Sequence, residues 1–264
     1  MRRNNLFWGG LILLVGLALL FGNLLQVNMW NFIWPLAIVF VGAWLLLRPV
    51  MFRRNLETQQ VSVPLENASE ADIRLKHGAG RLALRAAGTP GVLLSGSCVG
   101  GARLDVNRSG PSARVQVESA ASEYFFSFQP FNAPYGLAWD LLLTPEIPLR
   151  LSVETGASES NLDLTDLKLT DFEIKTGASS SNITLPARAG LTQVKVSAGA
   201  ASVKLFLPQD VAGRIRVQSG LAGIHIDSTR FPAVAGGYET PGYATAENKA
   251  DIFIETGVGA VEVR

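Results

Sequence analysis

Six glycines set the register of an alternating pattern along most of the chain. Five residues before Gly78, Gly156, Gly177, Gly199, Gly220 and Gly257 stand Ile73, Leu151, Phe172, Val194, Ile215 and Ile252. Three residues before them stand Leu75, Val153, Ile174, Val196, Val217 and Ile254. All of these are apolar. The positions between are Arg74, Ser152, Glu173, Lys195, Arg216 and Phe253, polar with one exception. A period of two is the mark of a strand with one buried face. After each glycine come small residues and a second alternating pair: Leu82/Leu84, Leu162/Leu164, Ile183/Leu185, Val203/Leu205, Ile224/Ile226 and Val261/Val263. Each unit therefore reads strand, small-residue turn, strand.

The step between units is nearly constant. Gly156, Gly177, Gly199 and Gly220 are separated by 21, 22 and 21 residues. One such unit cannot bury its own apolar face, but a stack of them builds a continuous core. The expected fold is an all-β C-terminal domain, a parallel β-solenoid (a single-stranded β-helix) of about eight strand–turn–strand units. The alternative is an antiparallel β-sandwich in which each glycine phrase closes a hairpin. Two degenerate units are expected earlier: Val115 and Val117 leading to Phe126 and Phe128, and residues 92–94 leading through SGSCVGG to Leu104 and Val106. The glycines are read as turn residues, free to take positive φ. In-register stacking would set Glu154 on Lys175 and Glu173 on Lys195, both pairs of opposite sign.

Two stretches break the rhythm. Residues 123–139 are dense in aromatics and proline and are expected to cap an end or fill a satellite core; residues 231–249 read as an exposed, turn-rich loop.

The N-terminal region follows another rule. Leu6–Leu25 and Trp30–Leu47 are uncharged apolar runs, the first about 20 residues long, enough to cross a bilayer as a helix. Pro35 lies near the start of the second, where it costs little. The expectation is a transmembrane helical hairpin over 1–54 with spans at about 6–25 and 30–47, a linker and first strand over 55–70, and the repeat domain over 71–264. Arg2 and Arg3 precede the first span and Arg48, Arg53 and Arg54 follow the second, which places both termini in the cytoplasm. Trp8 and Trp44 would anchor the inner interface, Trp30 and Trp34 the outer one.

Composition narrows the chemistry. The 264 residues carry a net charge of +1, so nothing global points to nucleic acid. Cys98 is the single cysteine, which excludes an intramolecular disulfide and a cysteine cluster, and it reads as a small residue in a turn. His77 and His225 are the two histidines, expected at a turn and on an outward strand face. Asp163, Asp166 and Asp171 read as a solvated edge. No nucleophile elbow, phosphate loop or zinc spacing occurs. The chain is read as non-enzymatic, with no catalytic, cofactor-binding or metal residues; Gly78, Gly156, Gly177, Gly199, Gly220 and Gly257 are its structural residues.

The phrase AWDLLLTPEIPLRLSVETGASESNLDLTDLKL, residues 138–169, stands beyond the hairpin and opens the repeats. With Trp139, Pro145, Ile147, Pro148, Leu149 and the phrases at Gly156, Gly177, Gly199, Gly220 and Gly257, the chain resembles the toast-rack β-domain proteins with a LiaF/LiaI-like transmembrane hairpin, a bacterial cell-envelope stress family. The resemblance implies a membrane-anchored regulator or interaction protein in envelope stress sensing, with the lipid bilayer and a protein such as a membrane sensor kinase as partners. The second expectation is a membrane-tethered scaffold, a homo-oligomer built through solenoid ends.

Overall fold

The computed structural model describes residues 57–86, 89–119 and 137–264. The chain divides between Asn55 and Leu56, and the whole first unit lies outside the described residues. So do both expected membrane spans and Trp8, Trp30, Trp34 and Trp44. Among the described residues no helix is long and apolar enough to cross a membrane.

The second unit is made of strands. They are β1 (Thr58–Pro64), β2 (Glu70–Ala86), β3 (Val92–Val99), β4 (Ala102–Ser109), β5 (Ser112–Ser119), β6 (Ala138–Leu143), β7 (Pro148–Asp163), β8 (Lys168–Thr176), β9 (Ser180–Thr184), β10 (Leu191–Phe206), β11 (Ala212–Ile226), β12 (Ala233–Val234), β13 (Gly237–Glu239) and β14 (Lys249–Val263). The long strands β2, β7, β10, β11 and β14 each run through their glycine without interruption. Each therefore has two limbs, one on either side of the glycine. β8 and β9 are the two limbs of a sixth unit.

These units stack in parallel and in register. Ile73 faces Leu151, Leu151 faces Phe172, Phe172 faces Val194, Val194 faces Ile252 and Ile252 faces Ile215. Residues 21 apart are thus neighbours in the first step of the repeat. The order then departs from the sequence, because β14 lies between β10 and β11. The step from Gly220 to Gly257 is 37 residues rather than 21. That extra chain carries β14 back across β11 to pair with β10.

A further tier is assembled from two separate strands. β5 pairs with the first limb of β2 and β6 with its second limb. Val115 and Val117 take the expected inward places beside Ile73 and Leu75, and Trp139, Leu141 and Leu143 lie beside the second limb of β2; Phe126 and Phe128, with the rest of the stretch 123–136, lie outside the described residues. The other degenerate unit is present, but antiparallel rather than parallel: β3 and β4 are its two strands, with Gly100 and Gly101 between them. β3 pairs antiparallel with β1 and β6, whereas β4 pairs antiparallel with β5. The apolar run 92–94 therefore lies on the second-limb side of the β5–β6 tier and Leu104 on its first-limb side, within one continuous sheet. Among the described residues seven tiers stack in parallel, and the β3–β4 unit adds an antiparallel layer at one flank.

The interior follows the alternation closely. Of the twelve residues three and five places before a glycine, eleven are buried; Val217, in the last tier, is half-buried. Burial of each such side chain contributes about 1.5–3 kcal/mol before chain entropy. Cys98 is not a turn residue. It lies in β3, wholly buried, and burial pushes its thiol up to about 11.

In two units the second limb sits two residues out of the expected alignment. The position four after the glycine is inward in every unit, and there the chain places Leu82, Ser160, Ser181, Val203, Val261 and Ile224. Ser160 and Ser181 are buried. Apolarity alone passes over them and picks Leu162 and Ile183, which stack with Leu84 and Leu205 one place further along.

The glycines are not positive-φ turns. None of Gly78, Gly156, Gly177, Gly199, Gly220 and Gly257 has positive φ. What excludes a side chain is the neighbouring tier. A Cβ on Gly156 would lie 2.4 Å from the Gly78 carbonyl oxygen, and one on Gly177 would lie 2.9 Å from that of Gly156. The same holds up the stack, with Gly257 against Gly199 and Gly220 against Gly257, both at 2.9 Å. The corner is a column of glycines because backbones approach there, not because the chain reverses.

Candidate functional site

The outward face of the first limbs is the most organised surface of the domain. In a stacked sheet, residues at one repeat position form a row across the tiers. The row six places before the glycine runs Arg114, Asp72, Arg150, Asp171, Gln193, Asp251, Arg214 across β5, β2, β7, β8, β10, β14 and β11. The row two places before it begins Glu118, Lys76, Glu154, Lys175. Charge alternates from tier to tier in both.

Ion pairs join the rows. Arg114 lies 3.3 Å from Asp72, Arg150 3.6 Å from Asp171, and Lys76 2.8 Å from Glu118. The expected pairs form as well, Lys175–Glu154 at 3.8 Å and Lys195–Glu173 at 3.8 Å. The hydrogen bond donated by Lys76 to Glu118 raises the ammonium and lowers the carboxyl from their ordinary values. Two further pairs depend on the permuted strand order and were not legible beforehand: Arg216–Asp251 at 2.9 Å and Arg214–Glu239 at 2.6 Å. These are exposed pairs, worth about 0–1 kcal/mol each. Together they tie most carboxylates of this face to cations.

The alternation fails at β10 and β14. There the outward residues are Gln193, Lys195 and Ser197 on one strand and Asp251, Phe253 and Glu255 on the next. Phe253 is half-buried between Lys195 and Arg216, its register partners on either side. This patch lies in a trough of about 1060 Å³ that spans the face from Arg114 to Arg216. An aromatic ring in a rim of paired charges suits a protein or glycan contact.

The other residues singled out by sequence are scattered. Asp171 is in the ladder, paired with Arg150, whereas Asp163 holds its own turn by accepting from the Thr165 N–H and hydroxyl. Among the described residues no group of three or more His, Cys, Asp or Glu side chains could hold a metal ion. His225 is exposed, as its alternation implies. His77 is not a surface residue. It occupies the inward place before Gly78, 1 % exposed, with its ring 4.8 Å from that of Trp139. Burial lowers its pKa to about 4, so it is neutral. Neither ring nitrogen, nor the Trp139 Nε1, has a hydrogen-bond partner among the described residues. The next tiers carry Thr155 and Thr176 in the same row, joined hydroxyl to hydroxyl at 3.0 Å. That row shows why a polar residue is tolerated there, but it does not explain a histidine.

The stretch expected to be an exposed, turn-rich loop is mostly exposed or half-buried, but two of its rings anchor it on β11 as a cap. Phe231 is fully buried and sits against Gly213, where a Cβ would come within 2.8 Å of its ring. Arg230 donates to the carbonyls of Leu207, Pro208 and Val211 and pins this cap to the preceding turn. Tyr243 is buried with the Arg214 guanidinium 4.2 Å from its ring centre, and β13 adds an antiparallel pairing to Arg214 and Ile215.

Residues 52–206 match the family described as the N-terminal domain of toast_rack, DUF2154. The chain belongs to the toast_rack N-terminal domain family. The toast_rack match takes in β1 to β10 and so every tier except β14 and β11. No curated protein matches the chain. A solved structure from Clostridium sporogenes ATCC 15579, provisionally described as a cell adhesion protein, is similar with a TM-score of 0.70 at 17 % identity, over 79 % of this chain and 98 % of that one. That likeness is one of fold alone. A structure from Bacteroides fragilis NCTC 9343, provisionally described as an adhesin, reaches a TM-score of only 0.21 at 8 % identity, over 79 % of this chain and 97 % of that one, and carries no argument.

Proposed function

We propose that this toast_rack protein is a non-catalytic interaction protein, anchored by an N-terminal helical hairpin in the bacterial inner membrane, that presents the first-limb face to a protein partner in cell-envelope stress signalling. The observation that carries the reading is Phe253, half-buried on an outward face whose other positions are charged or polar. A ring at that place serves no core. It interrupts a ladder that is otherwise self-neutralised, and it offers apolar area where a partner can desolvate it. Most carboxylates of the face are tied to cations, which supports a binding role over a catalytic one. The two uncharged runs and their arginine flanks support the anchor and the cytoplasmic placement of both termini. A membrane sensor kinase is the kind of partner that placement suits.

A photo-crosslinking residue at position 253 in the full-length chain, expressed in living bacteria, tests the reading. One discrete protein adduct is expected, lost on Lys195→Glu and absent when the crosslinker is moved to position 225. Adducts at 225 but not at 253, or none at either, overturn it. Labelling of an added C-terminal cysteine from outside the cell would remove the cytoplasmic placement.

A further inference from the structure

A face of alternating charge can be its own counterpart. In an isologous contact each residue meets the same surface on the other copy, so the signs must be opposite about one two-fold axis. The first-limb face meets that condition. β4 extends its rows by one strand, setting the exposed Asn107, Asp105 and Arg103 beside Arg114, Gln116 and Glu118. From β4 to β10 the row six places before the glycine then runs Asn107, Arg114, Asp72, Arg150, Asp171, Gln193. The row four places before it runs Asp105, Gln116, Arg74, Ser152, Glu173, Lys195. The row two places before it runs Arg103, Glu118, Lys76, Glu154, Lys175, Ser197.

We propose that this face, from β4 to β10, is the contact surface of a homodimer whose two-fold axis runs parallel to the strands in the gap between β2 and β7. A second copy laid face to face about that axis sets β2 on β7, β5 on β8 and β4 on β10. Asp72 then meets Arg150, Arg114 meets Asp171, Lys76 meets Glu154, Glu118 meets Lys175 and Asp105 meets Lys195. No like charges meet. The remaining places suit one another: Asn107 meets Gln193, Gln116 meets Glu173, Arg103 meets Ser197, and the long Arg74 meets the short Ser152.

Among axes parallel to the strands, no other joins as many strands without conflict. One gap toward β8, Arg74 would meet Lys195 and Glu118 would meet Glu255. One gap toward β5, the overlap shrinks to β4, β5, β2 and β7. An axis on any of these strands sets a charge against itself, and one along the middle row sets Arg74 on Arg74 and Glu173 on Glu173. The alternation also selects the occupant. Arg114 already lies 3.3 Å from Asp72, Arg150 3.6 Å from Asp171 and Lys76 2.8 Å from Glu118. A partner of one sign would have to break such pairs, whereas a second copy gives each charge another opposite neighbour. The overlap of about 24 by 13 Å is small against the roughly 800 Å² a side of a standard interface, so the dimer is weak and reversible. β14 and β11 lie outside it, so Phe253 stays uncovered on both copies and the two readings fail independently.

Sedimentation of the full-length chain in detergent tests this across about a hundredfold range of concentration. A monomer–dimer equilibrium is expected at low salt, shifting toward monomer as salt rises. Lys76→Glu and Glu154→Lys each set like charges across the axis and should each weaken the dimer by about tenfold or more. Mixed in equal amounts, the two variants should recover a dimer about as tight as the original, because each supplies the sign the other lacks. A loss of fold cannot produce that recovery. Arg114→Asp and Asp171→Arg repeat the mixing test at a second meeting point, should either of the first variants lose its strand circular dichroism. A chain that is monomeric throughout, a dimer unmoved by salt and by the single variants, or mixtures of folded variants that recover no dimer overturns the proposal.

Discussion

The centre of the stack and its β11 end are built from the same repeat, yet they are different environments. Ile174, in the β8–β9 unit, has a tier on either side and is fully buried; Val217, at the same repeat position in β11, has one neighbouring tier and is half-buried. The alternation is as regular in β11 as elsewhere. What it lacks is a further tier, so the burial of a repeat residue belongs to its neighbours rather than to its own unit. The cap from Arg230 to Tyr243 repairs part of this loss, on the first limb alone.

Truncation should expose the difference most sharply. Ile174→Ala leaves a cavity between two occupied tiers and should cost about 2–5 kcal/mol, whereas Val217→Ala should cost about 1 kcal/mol or less. Denaturant titration of the full-length variants, read by far-ultraviolet circular dichroism, measures both. Equal losses would mean that the last tier is covered by something outside the described residues.

A second comparison sets His77 against Thr155, its partner one tier along. His77 is neutral in the fold with a pKa of about 4, against an ordinary value of 6.5. The contribution is present above pH 6.5 and is lost as pH falls from 6.5 to about 4, because the unfolded chain binds the proton first. The loss should approach 3 kcal/mol over that window. His77→Thr, which copies the neighbouring tier, should flatten the slope. An unchanged pH dependence in this variant would place the acid sensitivity elsewhere.

The glycine column gives a graded test. Gly156→Ala puts a methyl 2.4 Å from a backbone carbonyl, so the tiers must part, at a cost of about 1–3 kcal/mol. Gly78→Ala meets nothing within 4 Å at a φ that is not positive and should be close to neutral. Midpoints that fall equally would return the glycines to the role of turn residues. The smallest effect belongs to the charge ladder. Lys175→Ala removes contacts to Glu154 and Glu173 at 3.8 and 3.4 Å and should cost no more than about 1 kcal/mol, less as salt rises.

Much of this fold is legible in the sequence for a physical reason. A strand of period two with a fixed repeat length admits few ways of burying its apolar face, so parallel stacking and the Glu154–Lys175 and Glu173–Lys195 pairs followed from spacing. Ser160 and Ser181 were missed because a hydroxyl shared with a neighbouring serine can replace a methyl in the core, and hydropathy does not see the partner. His77 was missed for a related reason: its burial depends on Trp139, which lies 62 residues further on. The Phe253 patch was visible as the one apolar residue in an outward row, but its setting between Lys195 and Arg216 was not.

The sequence by itself determined the two-limbed unit, the inward face of each limb and the column of glycines, since these rest on alternation and size within one repeat. Only the tertiary structure decided the order of the tiers, the assembly of one tier from β5 and β6, and the bare second limb of β11. Strand order is settled by which edges remain free when the loops close. A repeat in which every unit offers the same two edges carries no record of that choice.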